Sequence, residues 1–247
     1  METPICDFVR DYCARDALRL HMPGHKGRAL LGMEPLDITE FDGADELYAA
    51  AGIIRQSEEN AARLFGAART LYSAEGSSLC IRAMLYLALL HARENGLRPA
   101  VAAGRNAHKV FLTAAALTGL EVDWLYPESP ESLLTCGVEP AALESYLDTR
   151  ERPAAVYVTS PDYLGNLADI RALSAVCRRR GVLLLVDNAH GAYLHFLPEP
   201  RHPLDLGADI CCDSAHKTLP ALTGAAYLHF SESAPAALLE QAENALA

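Results

Sequence analysis

The sequence has no long hydrophobic run. Its longest apolar stretches, such as AMLYLALLHA from Ala83 to Ala92, fall well short of the ~20 residues that a membrane span requires. The N-terminal METPICDFVRDYCARD carries charges throughout and lacks the apolar centre of a secretory signal. Basic residues are outnumbered: 21 Lys and Arg stand against 32 Asp and Glu, a net charge of −11, which argues against a nucleic-acid binder. Paired metal-binding spacings are missing too. The seven cysteines (Cys6, Cys13, Cys80, Cys136, Cys177, Cys211 and Cys212) form no CxxC pattern, so the expectation is reduced, mostly buried thiols in a cytoplasmic protein, with neither disulfides nor a metal. Internal repeats and low-complexity segments are also lacking. What remains is 51% hydrophobic and 21% charged, enough apolar material for a sizeable core.

From about Gly76 the chain alternates between helical and strand-like segments. SSLCIRAMLYLALLHAREN reads as a helix closed at Gly96, PAVAAG as a short strand, and AHKVFLTAAALT as a helix ending near Gly119. EVDWLYP is strand-like, and EPAALESYLDTR starts a helix with Pro140 in its first turn. AAVYVTS and VLLLVDNAHG are apolar strands that flank the amphipathic helix DIRALSAVCRRR, closed by Gly181. ADICCDSAHK and GAAYLHF read as two further strands, and SESAPAALLEQAENALA as one helix with a serine cap. Strands apolar on both faces, alternating with helices, predict an α/β fold with a mostly parallel sheet flanked by helices. The first 70 residues are rich in Gly, Pro and Asp and predict an extended N-terminal arm leading into the helix RQSEENAARLFGA. The predicted organisation is therefore an arm and first helix over 1–70 and a large domain over 71–247.

In such sheets, ligands bind at the carboxyl ends of the strands. Asp187 ends the most apolar strand, and Lys217 follows the next one. A buried carboxylate is costly unless it meets a cation, so Asp187 by itself reads as a helix cap, a salt bridge, or a partner for a metal or a protonated ring nitrogen. Lys217 lies between ADICC and LPALTGAAYL, both of which read as buried; a desolvated amine there becomes a nucleophile that can hold an aldehyde as a Schiff base. Pyridoxal phosphate needs such a lysine together with an acidic partner for its ring nitrogen. Gly76, Ser77 and Ser78 at a helix start suit a phosphate, although alone they also read as an ordinary cap. Ser214 and His216 could add donors, and His108 could stack on a ring or serve the structure only.

On these residues the sequence resembles the pyridoxal-phosphate-dependent ornithine/lysine/arginine decarboxylases of the aspartate-aminotransferase fold (fold type I). HMPGHKGR is similar to that family's PGHK signature, DNAHGAY to its Asp-x-Ala-His motif, and SAHKTLPALTGAAYLH to its lysine segment. The resemblance implies a fold type I large domain. In it Lys217 holds pyridoxal 5'-phosphate as a Schiff base, Asp187 pairs with the ring nitrogen and His108 stacks on the ring. Ser77, Ser78, Ser214 and His216 contact the phosphate, and His190 lines the site. The sequence departs from the family at GSSLCIRAM, where small residues and Asn are usual, and at Asp162, where a small hydroxyl residue is usual.

The resemblance also implies an activity: removal of the α-carboxylate from lysine, arginine or ornithine, in amino acid metabolism and polyamine biosynthesis, by a cytoplasmic homodimer or higher homo-oligomer. Two alternatives stand beside it. One is another fold type I enzyme, an aminotransferase or a lyase; the other is a truncated, inactive relative. The family continues into a C-terminal small domain that 247 residues do not contain, so the expectation for this length is weak cofactor binding and slow or no turnover.

Overall fold

The computed structural model describes residues 2–127, 134–135 and 137–247; Cys136, one of the thiols expected to be buried, lies outside them. The chain divides into two compact units, one ending at Leu64 and the other running from Phe65 to Ala247.

The first unit holds α1 (Pro4–Ala14) and most of α2 (Ile53–Phe65). Its stability comes from aromatic packing. Tyr12 stacks among Phe8, His21 and Phe41, with the His21 and Phe41 rings 4.4 Å apart, and the Tyr12 hydroxyl lies 2.6 Å from His21 Nε2. The PGHK segment is a tight turn in which Lys26 Nζ donates to the His21 carbonyl at 2.6 Å. Asp45 accepts the Ala51, Gly52 and Ile54 amides, satisfying donors at the start of α2 that lack intrahelical partners. The expected irregular arm is thus ordered by side chains rather than by long secondary structure. Leu18, Leu20, Leu30 and Leu31 nonetheless remain exposed.

The second unit runs β1 (Arg69–Ser73), α3 (Gly76–Asn95), β2 (Arg98–Gly104), α4 (Lys109–Thr118), β3 (Glu121–Leu125), α5 (Pro140–Thr149), β4 (Pro153–Thr159), α6 (Ile170–Arg180), β5 (Leu183–Asp187), β6 (Ile210–Asp213), α7 (Ala215–Thr218), β7 (Ala226–Phe230), α8 (Ala236–Glu240) and α9 (Ala242–Leu246). The seven strands among its described residues form one sheet in the order β1-β7-β6-β5-β4-β2-β3. The pairs β2–β3, β2–β4, β4–β5 and β5–β6 are parallel, while β7 runs antiparallel to both β6 and β1. This is the mostly parallel, helix-flanked α/β sheet expected from the sequence.

The period of two along each strand divides the core. Val156, Val158, Leu184, Val186 and Cys211 pack with Leu143, Ile170 and Leu173 of α5 and α6. The alternate residues, among them Tyr157, Leu185 and Asp187, therefore face the other side, where Phe111 of α4 meets the Tyr157 ring at 4.4 Å. Helix α6 begins where the Asp169 side chain accepts the Ala172 amide and ends at Gly181 after three arginines.

Three expectations are corrected. Helix α1 and strand β1 have no counterpart in the sequence reading: α1 starts at Thr3 and Pro4, where the Thr3 amide and hydroxyl donate to the Asp7 carboxylate, and β1 is a short edge strand paired with β7. The C-terminal segment is two short helices rather than one with a serine cap. Pro235 occupies the cap position, and Arg69 takes both the Leu239 carbonyl and the Glu243 carboxylate at the break. The segment after Lys217 is not buried: Leu222 is 77% exposed, and burial resumes only with Ala226 in β7.

Candidate active site

Strands β2, β4, β5 and β6 run in one direction, so their carboxyl ends share an edge. A cavity of about 660 Å³ opens there, within the ~300–1,000 Å³ usual for small-molecule sites. Ser77 and Ser78 line it from the start of α3, His108 from the start of α4, and Asp187 and His190 from the end of β5. Ser214, His216 and Lys217 complete it after β6. All eight residues selected from the sequence thus meet in one place.

Asp187 is nearly buried at 3% exposure. The Tyr157 hydroxyl donates to its Oδ2 at 3.1 Å, the Ala189 amide donates to Oδ1 at 3.1 Å, and the Cys212 thiol donates to Oδ1 at 3.8 Å. Burial, and then the Asp187 charge, push the Tyr157 phenol well above its ordinary range, so it stays a donor. His190 is half-buried, and burial followed by the Lys217 charge lowers its pKa against the opposing pull of Asp187. A neutral imidazole therefore stands beside Asp187 at neutral pH.

The opposite wall is made by the N-terminus of the 20-residue α3. The Gly76 amide donates to the Gly224 carbonyl at 2.7 Å, which locks the 222–225 turn against the helix start. Only glycine fits at 224: its φ is +101°, and a Cβ there would lie 2.5 Å from the Ala74 carbonyl oxygen. The Ser214 hydroxyl donates to Ser77 Oγ at 2.7 Å, and His216 Nδ1 donates to the Ala225 carbonyl at 2.9 Å, which leaves Nε2 available. A helix start with converging hydroxyls is an anion site.

Two placements differ from expectation. Lys217 sits on the single-turn α7 and is exposed to the cavity rather than buried, because the turn that follows it turns outward. His108 stands just before α4, outside the helix that AHKVFLTAAALT predicts. It caps α4, accepting the Val110 amide on Nδ1 at 3.3 Å, and its exposed ring is thereby fixed in orientation. The structural and cofactor-stacking readings of this histidine are therefore compatible.

A buried carboxylate, an amine and an anion-binding helix start share this cavity. Pyridoxal phosphate requires that donor set for its ring nitrogen, aldehyde and phosphate, and the residues present fit the group. The sequence reading missed Tyr157, which anchors Asp187. Its signal was a hydroxyl-bearing aromatic inside the otherwise aliphatic AAVYV. It also missed Asn106 and Tyr163 on the cavity wall, for which the sequence carries no distinct signal.

Comparison with known proteins agrees with this geometry. Residues 3–246 match the family model for the Orn/Lys/Arg decarboxylase major domain. The chain is 32% identical to "Uncharacterized protein YaaO" of Bacillus subtilis and 30% identical to the arginine decarboxylase of the same organism; each match covers 94% of this chain and 50% and 48%, respectively, of the relative. The chain thus spans about half the length of the curated relatives it matches. Among solved structures, lysine decarboxylase A from Pseudomonas aeruginosa superposes with a TM-score of 0.79 at 20% identity, over 98% of this chain and 37% of that one.

Proposed function

Because this chain belongs to the Orn/Lys/Arg decarboxylase family, we propose that it forms the cofactor-binding part of an enzyme that removes the α-carboxylate of lysine, arginine or ornithine, using pyridoxal 5'-phosphate. The observation that carries this reading is the meeting of Asp187, Lys217 and the start of α3 in a single cavity.

When bound, pyridoxal phosphate supplies an electron-accepting ring for the pair left on Cα as CO₂ departs. In this proposal Ser77, Ser78, Ser214 and His216 hold its phosphate, and Lys217 holds its aldehyde carbon. Asp187 faces its ring nitrogen, and His108 covers the ring. Tyr157 and the Ala189 amide fix the two Asp187 oxygens, so the carboxylate meets a cation without having to reorganise. In this proposal Lys217 Nζ would carry the proton that Cα receives after CO₂ leaves, and the neutral His190 imidazole lines the site. A cytoplasmic homodimer serving polyamine synthesis is the proposed setting; the exposed leucines of the N-terminal unit support self-association. Among the described residues no helix is long and apolar enough to cross a membrane.

Titration with pyridoxal phosphate, borohydride reduction and peptide mapping test the cofactor site. The expected adduct is on Lys217, and an adduct on Lys26 or Lys109 alone would overturn the assignment. Product analysis with the three amino acids tests the reaction: CO₂ and a diamine or agmatine support decarboxylation, whereas a keto acid assigns transamination instead.

A further inference from the structure

Asp213, the last residue of β6, lies behind the cavity. It shares the sheet face of Cys211, opposite to that of Cys212 and Asp187. It is fully buried, and three side chains converge on it. Asn188 Nδ2 donates to Oδ1 at 2.6 Å, His202 Nε2 lies 3.2 and 3.0 Å from the two oxygens, and His229 Nε2 lies 3.3 Å from Oδ2. Donor atoms of His202, Cys211 and Asp213 lie within 4.8 Å of one another, close enough to suggest a metal centre. The protonation pattern argues against one. The Leu204 amide donates to His202 Nδ1 at 3.3 Å, so the proton of this imidazole sits on Nε2 and points at Asp213. A metal would need the lone pair that this proton occupies. Burial raises the Asp213 carboxyl, but the neighbouring His202 and His229 outweigh it and hold it below the ordinary carboxylate range; Asn188 Nδ2 and His202 Nε2 donate to it, while His229 Nε2, although close, makes no hydrogen bond.

The position of this anion in the chain gives it a use. Asn188 directly follows Asp187, and Asp213 directly precedes Ser214, Ala215, His216 and Lys217. The backbone link between β5 and β6 ends with the Asn188 amide on the Cys212 carbonyl at 3.0 Å. Beyond that point, the Asn188–Asp213 side-chain bond joins the two segments. Among the described residues no other group hydrogen-bonds the Asn188 side chain: its Oδ1 is buried without a partner and lies 2.1 Å from where a Gly191 Cβ would be.

We propose that Asp213, acting through Asn188, is the positioning residue that fixes Asp187 relative to Lys217, a role that rests on the cofactor site proposed above. Amide hydrogen exchange of the cofactor-free protein provides the test, joined by titration with pyridoxal phosphate followed by absorbance. The variants are Asp213→Asn, Asn188→Ala and the reciprocal exchange Asn188→Asp with Asp213→Asn, which restores a donor–acceptor pair in reversed roles. Each single variant is expected to speed exchange in 188–192 and 214–219 by about tenfold, as loss of one charge-assisted hydrogen bond implies, with β2 and β4 unchanged. The cofactor dissociation constant should rise about tenfold in parallel, and the reciprocal exchange should recover both. Unchanged exchange in the two segments, equal loosening of the whole sheet, or no recovery in the reciprocal exchange would each overturn the proposal. So would one equivalent of zinc in the wild type that is lost with Asp213→Asn. If Asp213→Asn does not fold, Asn188→Ala decides, since it leaves the histidine–carboxylate cluster in place. Exchange is read without cofactor, so a wild type that bound no pyridoxal phosphate would sink the proposed function and leave this inference to be judged on exchange alone.

Discussion

Two aspartates end neighbouring parallel strands of this sheet and point to opposite faces. Asp187 meets a phenol, a thiol and a backbone amide, and it borders a cavity. Asp213 meets Asn188, His202 and His229 in a sealed interior. The same side chain at equivalent strand ends thus has two fates, decided by which face it points to and which donors surround it. An anion whose donors leave it open to a cavity can still receive a guest, whereas one surrounded by imidazoles and an amide can only brace the fold.

The sharpest test of this contrast removes the guest's anchor. Lys217→Ala should abolish the borohydride-trapped adduct entirely while leaving thermal unfolding unchanged; an adduct that persisted would move the anchor elsewhere. Next comes the pair of aspartates. Asp187→Asn should lower turnover, measured in an active parent protein, by roughly 10²–10³-fold, with little change in the urea midpoint. Asp213→Asn should instead cost about 1–3 kcal/mol of stability in the same urea titration. Equal effects on stability from both substitutions would erase the distinction drawn here. Tyr157→Phe removes one buried hydrogen bond to Asp187 and should cost about 1 kcal/mol, read as weaker cofactor binding with unchanged oligomeric state.

The smallest effect concerns acid. Burial holds the His229 pKa below its ordinary value despite Asp213, so the folded state favours the neutral ring. Below about pH 6.5 the unfolded chain binds a proton that the folded chain resists. Stability contributed by the neutral ring is therefore complete above that pH and is lost as the pH falls toward the folded pKa. The wild-type unfolding temperature should fall between pH 7 and pH 5, and His229→Gln should fall less; a parallel decline in both would assign the effect to other groups.

Much of this was legible in the sequence because it depends on local pattern. The apolar runs around Val156 and Leu185 mark parallel strands, and their ends place Asp187 and Lys217 on one edge whatever the surroundings. The environment of each residue was less legible. The exposure of Lys217 depends on where the 219–224 turn goes, and that is fixed by the Gly76–Gly224 bond across the fold. The roles of Tyr157, His202 and His229 depend on which face each strand residue presents and which neighbour stands opposite. Strand β1 is five residues long, and its pairing with β7 spans most of the domain's sequence, so no window of local sequence contains the signal.

That last pairing also sets a timetable. β7 lies between β1 and β6 in the sheet, although β1 is synthesised first and β7 last. Until residues 226–230 emerge, β1 has no neighbour in the sheet and β6 presents an open rim. The Gly224 carbonyl that closes the start of α3 emerges just before β7. The phosphate end of the pocket is therefore completed last: Ser77 and Ser78 emerge before Asp187, but Ser214, His216 and Gly224 follow it. Chain that pauses before that completion exposes unpaired strand edges, a setting in which assembly competes with aggregation.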